Sequence, residues 1–311
     1  MILTVTLNAA LDVTYIVDNL VPSTSHRVDT VHERAGGKGI NVARVLSALG
    51  WPAVVTGLSG GDTGDRLRGE LRAVGLRDEL VPVAGESRRT LTVVSREDGD
   101  ATVFNQTGPL VTTDEWEAFT AQYARLLRDA DVVVLSGSLP PGLPTDAYAH
   151  LVALAHEGGV AAILDTSGPA LRDALAVGPD VVKPNADELA AVTGRQDIAA
   201  AAAGLRAMGA RTVVASRGPD GLHAITPRGT WRATPPERLT GNPTGAGDAC
   251  VAALAAGIAT GAPWPAILCE AVALSAAAVL RPTAGDFDTD AYRRFRTTVP
   301  VEEVHAARSH P

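Results

Sequence analysis

The octapeptide Asn242-Pro243-Thr244-Gly245-Ala246-Gly247-Asp248-Ala249 runs directly into the alanine-rich apolar segment Cys250 to Ile258, so a glycine loop ends on a carboxylate where a helix is expected to begin. The first turn of a helix carries backbone N–H groups without intrahelical partners and the positive end of the macrodipole, and glycines let an oxyanion approach them closely. Gly245, Ala246 and Gly247 therefore form a candidate anion hole. Phosphate in that hole would repel a neighbouring carboxylate, which leaves Asp248 two readings. It is an ordinary N-cap, or it is the base that takes a proton from a hydroxyl attacking the phosphorus.

Of the 27 Lys and Arg residues only Lys38 and Lys183 are lysine. Both stand in polar, special segments, Ala35-Gly36-Gly37-Lys38-Gly39-Ile40-Asn41 and Val182-Lys183-Pro184-Asn185-Ala186-Asp187-Glu188. A compact ammonium is not interchangeable with a planar guanidinium, so either the two lysines are retained by chance or these are places where a point charge near a phosphate or hydroxyl is wanted. In the first segment Gly37, Lys38 and Asn41 offer backbone amide, ammonium and carboxamide at a helix start, a mixture suited to polyols. In the second, Asn185 and Glu188 are three apart and would share a helical face that can hold the water shell of Mg²⁺. Asp165, in Leu164-Asp165-Thr166-Ser167-Gly168, could join that acidic environment or could cap a helix. Asn8 and Asp12 follow the first apolar run, where Asp12 either meets sugar hydroxyls or closes an Asx turn. Ser136 to Gly142 and Ser216-Arg217-Gly218-Pro219-Asp220-Gly221 are further loops of the same kind, the second either a nucleotide passage or a plain hairpin turn. Arg88 and Arg89 are adjacent on an expected strand, so at most one of them faces a ligand. His26 and His32 are expected to share a strand face, but with no matched ligand set for a zinc site they read as surface of that region.

The elements that must position these groups are legible from period. Short β-branched runs (Ile2 to Leu7, Ala53 to Leu58, Val132 to Leu135, Ala161 to Leu164, Val181 to Val182, Thr212 to Ala215) alternate with amphipathic stretches such as Gly39 to Leu49 and Asp114 to Asp129. That alternation predicts a doubly wound α/β fold with a mostly parallel sheet, whose carboxyl edge opens onto the ligand crevice. Val13 to His32 and Arg88 to Phe104, with a turn signal at Glu97 to Asp100, break the rhythm and read as antiparallel strands forming a small β-sheet lid. The expected division is a core of residues 1–11, 33–86 and 109–311 with a discontinuous lid of 12–32 and 87–108. At 311 residues and 46% hydrophobic the chain can bury a large core. Its net charge of −8 argues against nucleic-acid binding. Cys250 and Cys269 have no metal-ligand spacing and read as reduced core thiols. With no basic leader and no apolar stretch of about 18 residues, no membrane partner is expected and the protein is expected to be cytoplasmic.

Taken in order along nearly the whole chain, these motifs resemble the ribokinase/PfkB carbohydrate kinase family. Thr6 to Asp12, Gly36 to Ala43, Phe104-Asn105 with Gly108, and Ser136 to Gly142 most resemble its 1-phosphofructokinase and tagatose-6-phosphate kinase branch. The resemblance implies a ribokinase-like core with a lid often used in dimerisation, hence a homodimer, and ATP with Mg²⁺. It implies Asp248 as catalytic base beside the Gly245–Gly247 hole. Asp12, Gly37, Lys38, Asn41, Arg88 and Ser138 would contact the sugar phosphate, with Lys38 or Arg27 joining Arg88 on its phosphate. Lys183, Asn185, Glu188, Ser216, Gly218 and Gly221 would line the nucleotide and Mg²⁺ side, with Glu188, Asn185 (through water) and Asp165 nearest the metal. Ala9, where the branch usually has proline, and Thr90, where it commonly has asparagine, bear on which sugar is used. The expected activity is phosphorylation of a ketohexose phosphate, fructose 1-phosphate before tagatose 6-phosphate or fructose 6-phosphate. A free-sugar or nucleoside kinase and a non-catalytic regulator are the rivals. A dehydrogenase is disfavoured because no Gly-x-Gly-x-x-Gly follows the first strand.

Overall fold

The computed structural model describes residues 1–97 and 100–304. The chain runs β1 (Ile2–Thr6), β2 (Ala10–Val17), β3 (Thr30–Gly36), α1 (Lys38–Ala48), β4 (Ala53–Ser59), α2 (Gly61–Ala73), β5 (Arg77–Pro82), β6 (Arg88–Ser95), β7 (Ala101–Asn105), α3 (Thr113–Leu127) and β8 (Val132–Ser136). It continues through α4 (Ala147–Glu157), β9 (Ala161–Asp165), α5 (Gly168–Leu175), β10 (Val181–Val182), α6 (Ala186–Thr193), α7 (Ile198–Ala207) and β11 (Val213–Ser216). The last elements are β12 (Leu222–Thr226), β13 (Gly229–Ala233), α8 (Ala246–Ala259), α9 (Trp264–Val279), α10 (Thr289–Phe295) and β14 (Val301–Glu303).

Ten strands form one sheet in the order β14-β13-β12-β11-β10-β9-β8-β1-β4-β5. From β5 to β11 every neighbouring pair is parallel, and β12 to β14 add an antiparallel edge. Successive side chains on a strand point to opposite faces, so each buried strand feeds two apolar layers. Ile2, Val132 and Val134 pack with α1, α8 and α9, whereas Leu3, Val5, Val133 and Leu135 pack with Phe119, Tyr123 and Leu151 on the other face. This is the doubly wound α/β core expected from the alternation. The edge strands escaped that reading because Arg77-Asp78-Glu79 and Leu222-His223-Ala224 interrupt their apolar pattern with polar residues.

A second sheet, ordered β3-β2-β6-β7, stands beside the first. Its two hairpins are antiparallel, as the alternation suggests, but β2 and β6 pair in parallel, with Ala10 opposite Arg88. Both strands leave the core at the same edge and run the same way, and the long intervening chain through α1, β4, α2 and β5 makes a parallel pairing possible. Asp12 is the third residue of β2, not part of a loop after β1. His26 lies on the connection between β2 and β3, where Nε2 meets Val21 O at 2.9 Å, so it does not share a strand face with His32. The Asp98-Gly99 part of the expected turn lies outside the described residues. Among those residues no helix is long and apolar enough to cross a membrane.

Candidate active site

The carboxyl ends of β1, β8, β9 and β10 face the start of α8 across one crevice, and α1 begins beside them. Asp165 is the last residue of β9, Lys183 immediately follows β10, and Lys38 opens α1. Both lysines of the chain meet at Asp165: Lys38 Nζ lies 3.3 Å and Lys183 Nζ 3.4 Å from Oδ1. Asp165 is 1% exposed; its Oδ2 makes no hydrogen bond but faces the Lys38 Nζ cation at 3.3 Å. Burial works against the Lys183 charge, but Asp165 and the neighbouring Cys250, Glu188 and Asp248 outweigh it and hold the ammonium above the ordinary lysine value.

Asp248 is the third residue of α8, and the N-cap position belongs to Gly245, so the carboxylate is not an ordinary cap. Its Oδ2 instead accepts a hydrogen bond of 2.8 Å from Asn41 Nδ2, in a site where Asp248 is buried. Burial first, and the Asp165 charge second, push the Asp248 carboxyl up to about 7, against the Asn41 hydrogen bond and the two lysines. A group with that affinity both gives up and accepts a proton at neutral pH. Gly245 has φ 88°, and a Cβ there would lie 2.7 Å from Ala284 Cα, so the loop following α9 closes directly behind the glycines. Asn242 braces the same loop, donating from Nδ2 to Pro282 O at 2.9 Å and accepting from Thr244 N at 3.0 Å. A Cβ at Gly247 would stand 3.5 Å from Lys183 Nζ, which puts that ammonium beside the proposed anion hole.

The lid contributes a second group. Asp12 stands opposite Arg34 on β3 and Thr90 on β6, and directly paired residues share a face. Burial raises the Asp12 carboxyl above its usual range, opposed by the Thr90 hydrogen bond and by Arg88, Arg34 and Arg44. Arg88 donates from Nε to Asn8 O at 3.0 Å and from Nη1 to Thr90 Oγ1 at 3.2 Å. Arg89 points the other way, to Thr63 Oγ1 on α2 at 3.2 Å, as strand alternation requires. Ser138 Oγ accepts from Asn8 Nδ2 at 3.1 Å. Gly37 is the N-cap of α1 with φ 112°, and its missing Cβ avoids a 2.6 Å approach to Thr6 Cγ2.

On the opposite flank, Asn185 caps α6 and forms a reciprocal capping box with Glu188, through Glu188 N to Asn185 Oδ1 at 2.8 Å and Asn185 N to Glu188 Oε2 at 2.9 Å. Ser216 bridges to Asn185 by donating its N–H to Pro184 O at 2.9 Å. Gly218 and Gly221 bound the turn that follows, with φ 55° and 83°; a Cβ on Gly221 would strike Ala233 O at 2.0 Å.

The crevice thus gathers Asp248, Asn41, Lys38, Lys183, Asp165 and the glycine loop, with Asp12, Arg88 and Ser138 at one end and Asn185, Glu188, Ser216, Gly218 and Gly221 at the other. Arg27 is not brought to it: it is exposed, on the connection at the other end of the β2–β3 hairpin from Gly36. Arg34 belongs to none of the sequence motifs. It reaches from β3 to Thr283 Oγ1 at 2.8 Å, joining the lid to the loop behind the glycines. Only the cross-strand register with Asp12 marks it, and register is invisible until the hairpin is paired.

A profile of the pfkB family carbohydrate kinases matches residues 3–290. The tagatose-6-phosphate kinase of Staphylococcus epidermidis is 32% identical over 312 residues, covering 98% of this chain and 100% of that one. Phosphofructokinase-2 of Escherichia coli in complex with potassium superposes with a TM-score of 0.91 at 31% identity, over 95% of this chain and 98% of the other. A possible 1-phosphofructokinase from Thermotoga maritima gives 0.88 at 30% identity, over 98% and 100% of the two chains.

Proposed function

This chain belongs to the pfkB family of carbohydrate kinases, and from that premise we propose that it transfers the γ-phosphoryl group of ATP to a hydroxyl of a ketohexose phosphate, first of all fructose 1-phosphate, giving fructose 1,6-bisphosphate. The activity is that of an ATP-dependent sugar kinase. The observation that carries the mechanism is Asp248, buried at the third position of α8 behind Gly245–Gly247, with its carboxyl at about 7. Asp248 takes the proton of the attacking hydroxyl, while Asn41 holds the carboxylate oriented by its 2.8 Å hydrogen bond. Backbone amides of Gly245, Ala246 and Gly247 receive the charge that develops on the transferring group, and Lys183 beside them offsets charge on the donor phosphates. An intact base and hole speak against a regulator that has lost turnover.

Sugar-phosphate binding falls to Asp12, Gly37, Lys38, Asn41, Arg88 and Ser138, and nucleotide binding to Lys183, Asn185, Glu188, Ser216, Gly218 and Gly221. The donor set on that flank suits Mg²⁺, a hard cation that takes oxygen ligands and keeps several waters. Asp165 Oδ2 is a buried carboxylate oxygen that makes no hydrogen bond beyond its 3.3 Å ion pair with Lys38 Nζ, and Glu188 uses Oε2 in the capping box, leaving Oε1 outside it. Asp165 and Glu188, with Asn185 through water, would hold the ion, which supplies charge neutralisation of the donor phosphates. A homodimer through the lid is part of the reading, with Arg27 supplied to the neighbouring copy's phosphate.

The second reading is a tagatose 6-phosphate or fructose 6-phosphate kinase, favoured by the likeness to the staphylococcal and Escherichia coli enzymes. ADP release with Mg-ATP across ketose monophosphates and free sugars tests both. Two charge-assisted contacts to a sugar phosphate, about 1.5–3 kcal/mol each, are expected to favour phosphorylated ketohexoses by about 10²–10⁴ in kcat/KM after allowing for non-additivity. Equal turnover of free fructose, ribose or a nucleoside would overturn the phosphosugar assignment and leave the kinase fold untouched.

A further inference from the structure

Asn8 is the second residue past β1, and its side chain is 7% exposed. Its Nδ2 donates to Thr107 O at 3.0 Å and to Ser138 Oγ at 3.1 Å, while its own backbone carbonyl accepts from Arg88 Nε at 3.0 Å. Thr107 lies on the segment that leaves the lid after β7, Ser138 on the loop after β8, and Arg88 at the start of β6. One residue at the end of a central core strand therefore touches the chain entering the lid sheet, the chain leaving it, and the β8 loop. A carboxamide is the uncharged side chain that can give two hydrogens from one nitrogen to a carbonyl and a hydroxyl at once.

The other half of the amide is unusual. Asn8 Oδ1 is buried without a hydrogen-bond partner, a state that carries a desolvation cost. Gly108, at φ 98°, lies against it so closely that a Cβ would stand 2.2 Å from Oδ1. Packing alone does not call for a half-satisfied amide here, since an apolar side chain would fill the space without an orphaned carbonyl. The arrangement makes sense if the two donations matter, and if Gly108 holds the amide in the one rotamer that makes them.

We propose that Asn8 is a positioning residue for the sugar phosphate: with Gly108 as its backstop, it sets Arg88 and Ser138 relative to each other and to the end of β1. The inference rests on the reading that Arg88 and Ser138 contact the sugar phosphate. Asp at position 8 would replace both donors with acceptors and set a lone pair against Thr107 O. Ala at 108 would push the whole amide from the other side, its Cβ meeting Oδ1 at 2.2 Å and Nδ2 at 3.3 Å, while leaving Asn8, Arg88 and Ser138 themselves unsubstituted.

The test measures KM for the preferred ketose phosphate and for ATP, with kcat and thermal unfolding, in wild type, Asn8→Asp, Asn8→Ala, Asn8→Ser and Gly108→Ala. Because KM does not depend on the active fraction, variants that fold in lower yield remain readable. The expected result is a sugar-phosphate KM raised about tenfold or more in Asn8→Asp, Asn8→Ala and Gly108→Ala, with the ATP KM within about twofold. Asn8→Ser, which keeps one donor on a shorter arm, falls between them and wild type. Unchanged sugar-phosphate KM with only a lowered melting temperature, or an ATP KM that rises as much as the sugar KM, would sink the proposal. Wild-type preference for an unphosphorylated sugar would instead sink the phosphosugar reading, whatever the variants do.

Discussion

Asp248 shows how a single carboxylate can be made reactive at the expense of stability. Asp248→Asn is nearly isosteric and keeps a partner for Asn41 but cannot take a proton, so kcat is expected to fall by roughly 10²–10⁴ with both substrates still bound within a few-fold. Near-normal kcat in steady-state assays would remove Asp248 from the chemistry. The same residue makes a pH prediction. Its carboxyl is raised from 3.8 in the unfolded chain to about 7 in the folded protein, with burial the larger cause and Asp165 the next. Between those values the folded state binds the extra proton, so stability falls as pH rises through that window and is level in this respect above it. The asparagine variant lacks the penalty. In denaturant melts its stability relative to wild type is expected to be greater at pH 8 than at pH 5, and a gap that shrinks with rising pH would contradict the assignment. Wild-type kcat/KM is expected to decline below about pH 7 as the base protonates.

At the scale of elements, the crevice is assembled from starts of helices and ends of strands. α6 illustrates the double use of a cap: Asn185 and Glu188 satisfy each other's backbone N–H while standing on the proposed nucleotide flank. Asn185→Ala is expected to lose about 1 kcal/mol of stability and to raise the KM for Mg-ATP, whereas Asn185→Asp keeps the acceptor and most of the stability. Thermal melts beside ATP kinetics check the two effects separately. If Asn185→Ala left both unchanged, neither the cap nor the flank would have the role given to it. The glycine loop is held just as locally, by Asn242 from within and by Ala284 from behind, so α8 starts where the loop after α9 lets it.

At the scale of the whole molecule, the lid sheet leaves apolar side chains in solvent. Its two outer strands β3 and β7 carry Val31, Val103 and Phe104 at 49, 50 and 56% exposure, and every residue of β7 is exposed. Unpaired outer strands with apolar surface are where another chain adds, which supports the lid as the dimer surface. If the proposed lid dimer supplies Arg27 to the neighbouring copy, Val103→Asp combined with Phe104→Asp is expected to shift the protein to monomer in sedimentation velocity and to raise the sugar-phosphate KM. A monomer with wild-type KM would dismiss Arg27 from the site, and an unaltered dimer would move the interface elsewhere.

The layered core and the chemical character of the crevice were legible from consecutive residues alone. Periodicity is local, so the alternation of apolar runs with amphipathic stretches declared a parallel sheet. Glycines before a carboxylate mark a candidate anion hole at a helix start, and two lysines kept among arginines mark points where a compact charge is wanted. Other facts depend on which distant segments meet in the folded chain. Lys38 and Lys183, far apart in the chain, converge on one buried carboxylate. Asp248 moves to about 7 because it is buried near Asp165. β2 joins β6 in parallel, which sets Thr90 and Arg34 around Asp12. Asn8 acquires its contacts from segments about 80 to 130 residues away. Burial and proximity belong to the folded ensemble of contacts, whereas helix starts, strand alternation and turn chemistry are properties of a few consecutive residues.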